Sequence, residues 1–356
     1  MSNPKLAITL GDPAGVGAET IVGAWSQKRV HQAARPFVVG CATVLRRAVD
    51  LLASELSVVE IDSAEEADPS PEVIPCLAAG GLRSDSIEPA VASAAGGQAA
   101  YDALKLATRL ALDKSVDGIV TAPLNKAALH AAGHHYPGHT ELLAEFCGVE
   151  RTAMMLYLPP GVADVGPAGL GVVHVTLHIS MRDALDQMTQ ERVLDRIQLA
   201  DDALCRMVAH TADFSPRIGV CALNPHAGEE GLFGDEEQRV IAPAVERARS
   251  LGKQVEGPLP SDTLMVRAAA GEFDAVVAMY HDQGHIALKL LGMQRAVNVT
   301  LGLPVVRTSV AHGTAFDRAW QGTADSQGMV EAISTAAHLA SVSRSESHQS
   351  DAVVRT

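Results

Sequence analysis

With 356 residues and a hydrophobic content of 47%, the chain is long enough to bury a large core, and its length favours two domains over one. A net charge of −14 and an aromatic content of 3% oppose nucleic-acid binding, which needs a basic surface and often stacking rings. The longest apolar runs are strand-length and cut by Gly, Pro or His, and no basic region followed by an apolar core opens the sequence, so no membrane partner and a cytoplasmic location are expected. Cys41, Cys76, Cys147, Cys205 and Cys221 are odd in number and lack a Cys-x-x-Cys pair. They argue against a disulfide framework or a thiolate zinc site and are expected to be buried small apolar residues. An anionic small substrate would need local basic residues to overcome the overall charge. Lys126, Lys289, Arg295 and Arg307 are the candidates.

Apolar runs alternate with helix-period segments along nearly the whole chain, the pattern of an α/β protein with a largely parallel sheet. Lys5-Leu-Ala-Ile-Thr-Leu reads as the first strand, broken at the glycine-rich turn Gly11-Asp-Pro-Ala-Gly-Val-Gly, after which Glu19 to Trp25 reads as helix. The turn matches neither nucleotide fingerprint, having no Gly-x-Gly-x-x-Gly and no Gly-Lys-Ser/Thr ending. Glu88 to Asp113 reads as a long alanine-rich helix, with Gly96-Gly97 as a break or a close-packing point. A strand at Gly118-Ile-Val-Thr leads to Ala122-Pro-Leu-Asn-Lys and then Tyr136-Pro-Gly-His-Thr-Glu. There His139 and Thr140 could donate to an anion beside backbone amides, or Thr140 could merely cap a helix over Glu141 to Phe146. Pro159 to Gly169 is a loop between strands, and Thr189 caps a helix running through Val208. Asp235-Glu-Glu opens a further helix, its acids matched to the helix dipole. From about Ser341 the composition predicts a disordered tail.

Three histidines each follow a strand-like run: His178 after Gly171-Val-Val-His-Val-Thr-Leu, His226 in Cys221-Ala-Leu-Asn-Pro-His, and His281 after Ala275-Val-Val-Ala-Met-Tyr. In an open α/β sheet ligands bind beyond the carboxyl ends of the strands, so three imidazoles delivered there could converge on one divalent metal. Such a site with an open position suits a Lewis acid acting on a substrate oxygen. The plainer reading makes each an ordinary polar residue at a strand end.

Taken together, Leu10-Gly-Asp-Pro-Ala-Gly-Val-Gly, Tyr136-Pro-Gly-His-Thr-Glu, Leu223-Asn-Pro-His-Ala-Gly-Glu, Tyr280-His-Asp-Gln-Gly-His and Asn298 through Ala315 resemble the 4-hydroxythreonine-4-phosphate dehydrogenase family from about residue 5 to residue 340. The resemblance implies the two-domain α/β fold of the isocitrate/isopropylmalate dehydrogenases, with an active-site cleft between the domains. Residues 1–128 with 300–340 would form the cofactor side and 129–299 the metal and dimer side, with 341–356 left as tail. It implies a homodimer whose metal site is shared between subunits, with His178, His226 and His281 as ligands. Zinc is the first choice of metal, and magnesium, manganese or cobalt are admissible. It places the substrate phosphate near His139 and Thr140 with Lys289, Asn298 and Arg307, and the dinucleotide, NAD or alternatively NADP, near His312, Gly313, Thr314 and Asp317. Asp262, Asp282 and Lys289 become candidates for positioning or proton handling. The implied chemistry is hydride transfer from C3 of a small phosphorylated hydroxy acid, followed by loss of its carboxylate as CO₂, with the metal at the C3 oxygen.

Two departures bear on specificity. Where pyridoxine-pathway members carry an apolar residue after His-Asp-Gln-Gly, this chain has His285, as do relatives acting on 4-phospho-D-threonate or 4-phospho-D-erythronate. Across a turn at Gly284 its ring is expected to face the cleft and read the substrate's C2 group, or else to pack beside His281. The second departure is Arg318-Ala-Trp-Gln-Gly, where the superfamily continues Ile-Ala-Gly-Lys-Gly. Trp320 is expected either to narrow the cofactor pocket or to stack on adenine. The acid sugars are favoured as substrates, 4-phosphooxy-L-threonine being the alternative. A non-catalytic metabolite-binding protein on this scaffold and a metal-dependent hydrolase are readings of other classes.

Overall fold

The computed structural model describes residues 3–82, 87–208 and 214–353. The chain divides into two compact units, Met1–Arg151 with Leu303–Thr356, and Thr152–Gly302. In the first unit the strands are β1 (Lys5–Thr9), β2 (Arg35–Gly40), β3 (Ser57–Ile61), β4 (Val73–Ala78), β5 (Gly118–Thr121) and β12 (Arg307–Val310). They lie in the order β3-β4-β2-β1-β5-β12, and every pairing is parallel. Helices cover such sheets on both faces, so the strands read as continuous apolar runs. Leu6, Ala7, Ile8 and Phe37 to Val39 are accordingly fully buried.

The second unit holds β6 (Ala153–Leu158), β7 (Leu170–His174), β8 (Ile218–Cys221), β9 (Val255–Leu259), β10 (Ala275–Ala278) and β11 (Val297–Leu301), ordered β11-β6-β7-β10-β8-β9. Here β6 runs antiparallel to both neighbours, while β7, β10, β8 and β9 are mutually parallel. The expected parallel sheet is therefore complete in the first unit and interrupted in the second. Because β7, β10 and β8 are parallel neighbours, their carboxyl ends open on one edge of this unit. The segments carrying His178, His281 and His226 leave from that edge.

Three boundaries differ from expectation, each for a packing reason. Residues 129–151 belong to the first unit, because Leu129, Leu142 and Leu143 bury themselves against Leu104 and Leu303. The long helix starts at Ala94 rather than near Glu88, capped by Ser93, whose side chain accepts from the Gly96 amide. Gly97 is a close-packing point: a Cβ there would lie 2.0 Å from the Ala128 carbonyl oxygen, so the helix Lys126–Ala131 rests directly on its backbone. The tail expected from Ser341 is instead part of the helix Gln327–Val353. Val342 is buried and Arg344 Nε donates to Asp117 Oδ1 at 2.6 Å, contacts that composition does not reveal; residues 354–356 lie outside the described residues. Thr189 caps the helix Gln190–Met207 as expected. All five cysteines are free, and Cys76 and Cys221 are buried, but Cys205 is exposed. No helix among the described residues is long and apolar enough to cross a membrane.

The glycine-rich turn after β1 holds Asp12, which is 1% exposed. One carboxyl oxygen accepts from the Ala14 amide at 2.9 Å, and the other has no partner. Burial pushes this carboxyl up to about 6, the Ala14 bond acting in the opposite sense. A folded-state value above the unfolded one means that protonation favours the fold, so the contribution is present below about pH 4 and lost as pH rises through about 6. Asp12→Asn keeps the acceptor and removes the charge. It should gain roughly 2–3 kcal/mol over the wild type near pH 8 and almost nothing near pH 4, at about 1.4 kcal/mol per pKa unit. Urea denaturation at the two pH values measures this, and an equal change at both would mean that the carboxylate is not destabilising.

Candidate active site

Beyond β7, β10 and β8 the second unit carries a histidine cluster. The strand-like run before His178 is shorter than its sequence suggests: β7 ends at His174, and His178 lies exposed in the connection to the helix Met181–Gln187. His281 is the first residue of the helix His281–Gly292, with His285 and Lys289 following one and two turns later on the same face. The ring centroids of His178 and His281 are 5.7 Å apart. His226 is not grouped with them, and among the described residues no three His, Cys, Asp or Glu side chains are placed to hold a metal. It lies instead in a groove of about 610 Å³ lined also by Asp262, Tyr280, Asp282, Ile286 and Leu290.

Both His281 and His226 have their Nδ1 engaged by a carboxylate. His281 Nδ1 meets Asp282 Oδ1 at 2.7 Å and His226 Nδ1 meets Glu229 Oε2 at 3.1 Å. A carboxylate can only accept, so each ring has a proton on Nδ1, and in its neutral form Nε2 is the nitrogen left to coordinate. The His226 segment is strained: His226, Ala227, Glu229 and Glu230 all have φ between 46° and 56°. Left-handed backbone costs about 1–2 kcal/mol per non-glycine residue. Glu237, 3% exposed, holds the segment's entry, its Oε1 accepting from the Leu223 and Asn224 amides at 2.8 and 2.7 Å.

His285 does not sit beyond a turn. Gly284 lies within the helix, and His285 is 8% exposed, its ring stacked on His281 at 3.8 Å between centroids. Its Nδ1 contacts Nε2 of His174 at 3.1 Å. Burial, with the neighbouring His281 and Lys289, pushes His285 down to about 4, so the ring is neutral. The expectation that it faces a cleft is thus corrected, and the packing alternative fits: a helix continuing through Gly284 turns the side chain inward. His174, unremarked in the sequence because it looked like a mid-strand residue, is 2% exposed and belongs to the cluster. Its spacing of four from His178 was the available signal. Asp262 is exposed in the first turn of Ser261–Ala269, Lys289 is half-buried, and Asn298 on β11 has a buried Oδ1 with no partner.

The first unit places Arg307, 1% exposed, on β12, with Nη2 donating to Thr121 Oγ1 at 2.6 Å. Burial pushes the guanidinium down to about 9, opposed by the Glu141 carboxylate, which leaves it charged at neutral pH. His139 is held well below its usual range by burial and by Arg307. Thr140 caps nothing, because the helix begins at His139 behind Gly138, which offers no side-chain acceptor. Its first-turn amides are therefore not satisfied by a side-chain cap, the arrangement that favours an anion. Arg295 Nη1 lies 3.5 Å from the Gly161 carbonyl oxygen, and Lys126 is exposed.

His312 to Asp317 follow β12. Thr314 packs on the glycine-rich turn, its carbonyl oxygen accepting from the Val16 amide at 3.1 Å. His312 Nδ1 lies 2.9 Å from the Gly313 carbonyl oxygen, and Gly313 and Asp317 are exposed. Trp320 is an anchor: Nε1 donates to the Pro13 carbonyl oxygen at 3.1 Å, and Arg47 lies 4.4 Å over the ring. Buried Glu19 accepts the Trp320 and Gly322 amides at 2.6 and 2.8 Å.

The family profile described as pyridoxal phosphate biosynthetic protein PdxA matches residues 32–336. The chain belongs to the PdxA family. A PdxA relative from Cupriavidus necator, named D-threonate 4-phosphate dehydrogenase, is 45% identical over 338 residues, covering 95% of this chain and 97% of the relative. A protein of the same name from Salmonella typhimurium is 46% identical over 342 residues, covering 96% and 100%. The crystal structure of a 4-hydroxythreonine-4-phosphate dehydrogenase from Klebsiella pneumoniae superposes with a TM-score of 0.83 at 45% identity, covering 95% of this chain and 99% of that one. These PdxA relatives are named dehydrogenases, which supports an oxidoreductase.

Proposed function

We propose that this chain oxidises C3 of a four-carbon 4-phosphorylated hydroxy acid of the D-threonate 4-phosphate class and that decarboxylation follows, with NAD or NADP as acceptor and a divalent metal at the histidines. The observation that carries the metal assignment is the pairing of His281 with Asp282 and of His226 with Glu229, which occupies Nδ1 and leaves Nε2 as the coordinating nitrogen of each neutral ring. Neutral imidazoles suit zinc first, and cobalt or manganese after it. Such a cation, when bound, polarises a substrate oxygen and stabilises negative charge there. NAD or NADP supplies the hydride acceptor, for which His312, Gly313, Thr314 and Asp317 are the candidate holders. The glycine-rich turn, Glu19 and Trp320 fix that loop from behind.

The phosphate is assigned to His139, Thr140, Arg307 and the first-turn amides, with Lys289 and Asn298 assigned to the same ligand by the family motifs. Asp282 orients His281, and Asp262 in the same groove is placed for proton handling. The second unit also leaves Ile286, Leu290 and Met293 at least 59% exposed beside its candidate ligands. A second copy covering this face would form the homodimer and complete a three-histidine site across it.

A panel of 4-phospho-D-threonate, 4-phospho-D-erythronate and 4-phosphooxy-L-threonine with NAD and NADP tests the reading. Reduced cofactor and CO₂ with the acid sugars are expected. Preference for the amino acid would move the chain to the substrate for which the Klebsiella protein is named. Free phosphate without reduced cofactor would make it a hydrolase, and binding without turnover a non-catalytic protein.

A further inference from the structure

We infer that His174 is a positioning residue that sets the ring plane of His281 through His285. His281 opens its helix, and its side chain is 36% exposed. Its hydrogen-bond partner Asp282 is 69% exposed, so that bond alone cannot hold the ring against solvent. The rigid contact lies on the other face. His285 stacks on His281 with an interplanar angle of 12°, and His285 is in turn fixed by His174, which is anchored at the end of β7.

The backbone is shaped to admit this ring. A Cβ on Gly284 would lie 2.5 Å from His174 Nε2 and 2.6 Å from Val172 Cγ1, so only glycine lets the helix pass over the buried imidazole. Of two facing neutral rings, one must donate. His174 Nδ1 is buried without a partner. A proton there would be an orphaned N–H, which native structures avoid more strictly than an unpaired acceptor. Nε2–H of His174 therefore donates to Nδ1 of His285, which gives each ring one tautomer and one orientation. A leucine at either position could fill the space without burying ring nitrogens, so the pair costs stability that packing alone does not require.

The inference rests on the reading of His281 as a metal ligand. Cobalt(II) is the probe: metal-stripped protein is titrated while its visible absorption bands are recorded, and thermal stability is followed in parallel. His281→Ala should lose cobalt binding. His174→Leu should weaken it by about 10–100-fold, as loss of a group that orients a ligand typically does, and shift the bands of the site that remains. His174→Gln, whose amide nitrogen can reach the Nε2 position, should recover most of the affinity. If His174→Leu does not fold, His285→Leu breaks the same link and should show the same weakening. Wild-type cobalt affinity and bands in folded His174→Leu, or in His285→Leu where the former does not fold, would overturn this inference alone. Full binding by His281→Ala would overturn the metal assignment with it.

Discussion

Replacing His281 with alanine should remove most of the bound divalent metal and nearly all turnover. A site built on three imidazoles cannot keep its geometry with two, and the loss should exceed the 10–100-fold typical of a neighbouring carboxylate. Asp282→Asn provides that comparison, because the amide still accepts from His281 Nδ1 at the same place without its charge. Metal content after dialysis and kcat, measured together, check the prediction. Full occupancy and a normal rate in His281→Ala would remove the histidine from the site. His178 and His281 approach one another within one chain whereas His226 does not join them, so in the proposed three-histidine site the third ligand would come from a partner copy. Heterodimers mixing His226→Ala with His281→Ala chains should then regain part of the activity, since one of their two sites retains all its ligands. Verified heterodimers as inactive as either parent would argue against sharing.

Much of the framework around the candidate site was legible because continuous apolar runs that end at polar residues are strong local signals of strands. The alternation of strands and helices, the β5 strand and the Thr189 cap follow directly from local chemistry. His174 was hidden by the same signal. Val-Val-His-Val-Thr reads as uninterrupted strand, yet pairing with β10 stops at Ala278 opposite His174, so the residue that looked mid-strand is the strand end. His285 was misplaced for the converse reason. A glycine four residues into a run after a strand signals a turn, and nothing local reveals that Gly284 is needed for clearance from an imidazole in another strand. The helix beyond Ser341 has few apolar residues, and its order depends on Val342 burial and the Arg344 to Asp117 contact, both of which are tertiary. The strand-end histidines were thus readable, and the packing around them was not.

Arg307→Ala should raise KM for the phosphorylated substrate and lower kcat, by about 2–4 kcal/mol in kcat/KM, because a buried guanidinium meets a phosphate with little solvent screening. The kcat component arises because binding energy from the remote phosphate helps to place the reacting carbon. Arg307→Lys should recover only part of the loss, since an ammonium cannot form the planar fork and also reach Thr121 Oγ1. The deletion leaves a cavity beside Thr121 and the Glu141 carboxylate without its cation, so a lower Tm is also expected, and the kinetics must be taken well below it. The decisive comparison is with the same acid lacking its phosphate. Wild type and mutant should handle that poor substrate almost equally, because the interaction that was removed has no counterpart in it. If Arg307→Ala instead costs the dephosphorylated acid as much as the phosphorylated one, the residue only holds β12 and β5 in place, and the phosphate must be bound elsewhere.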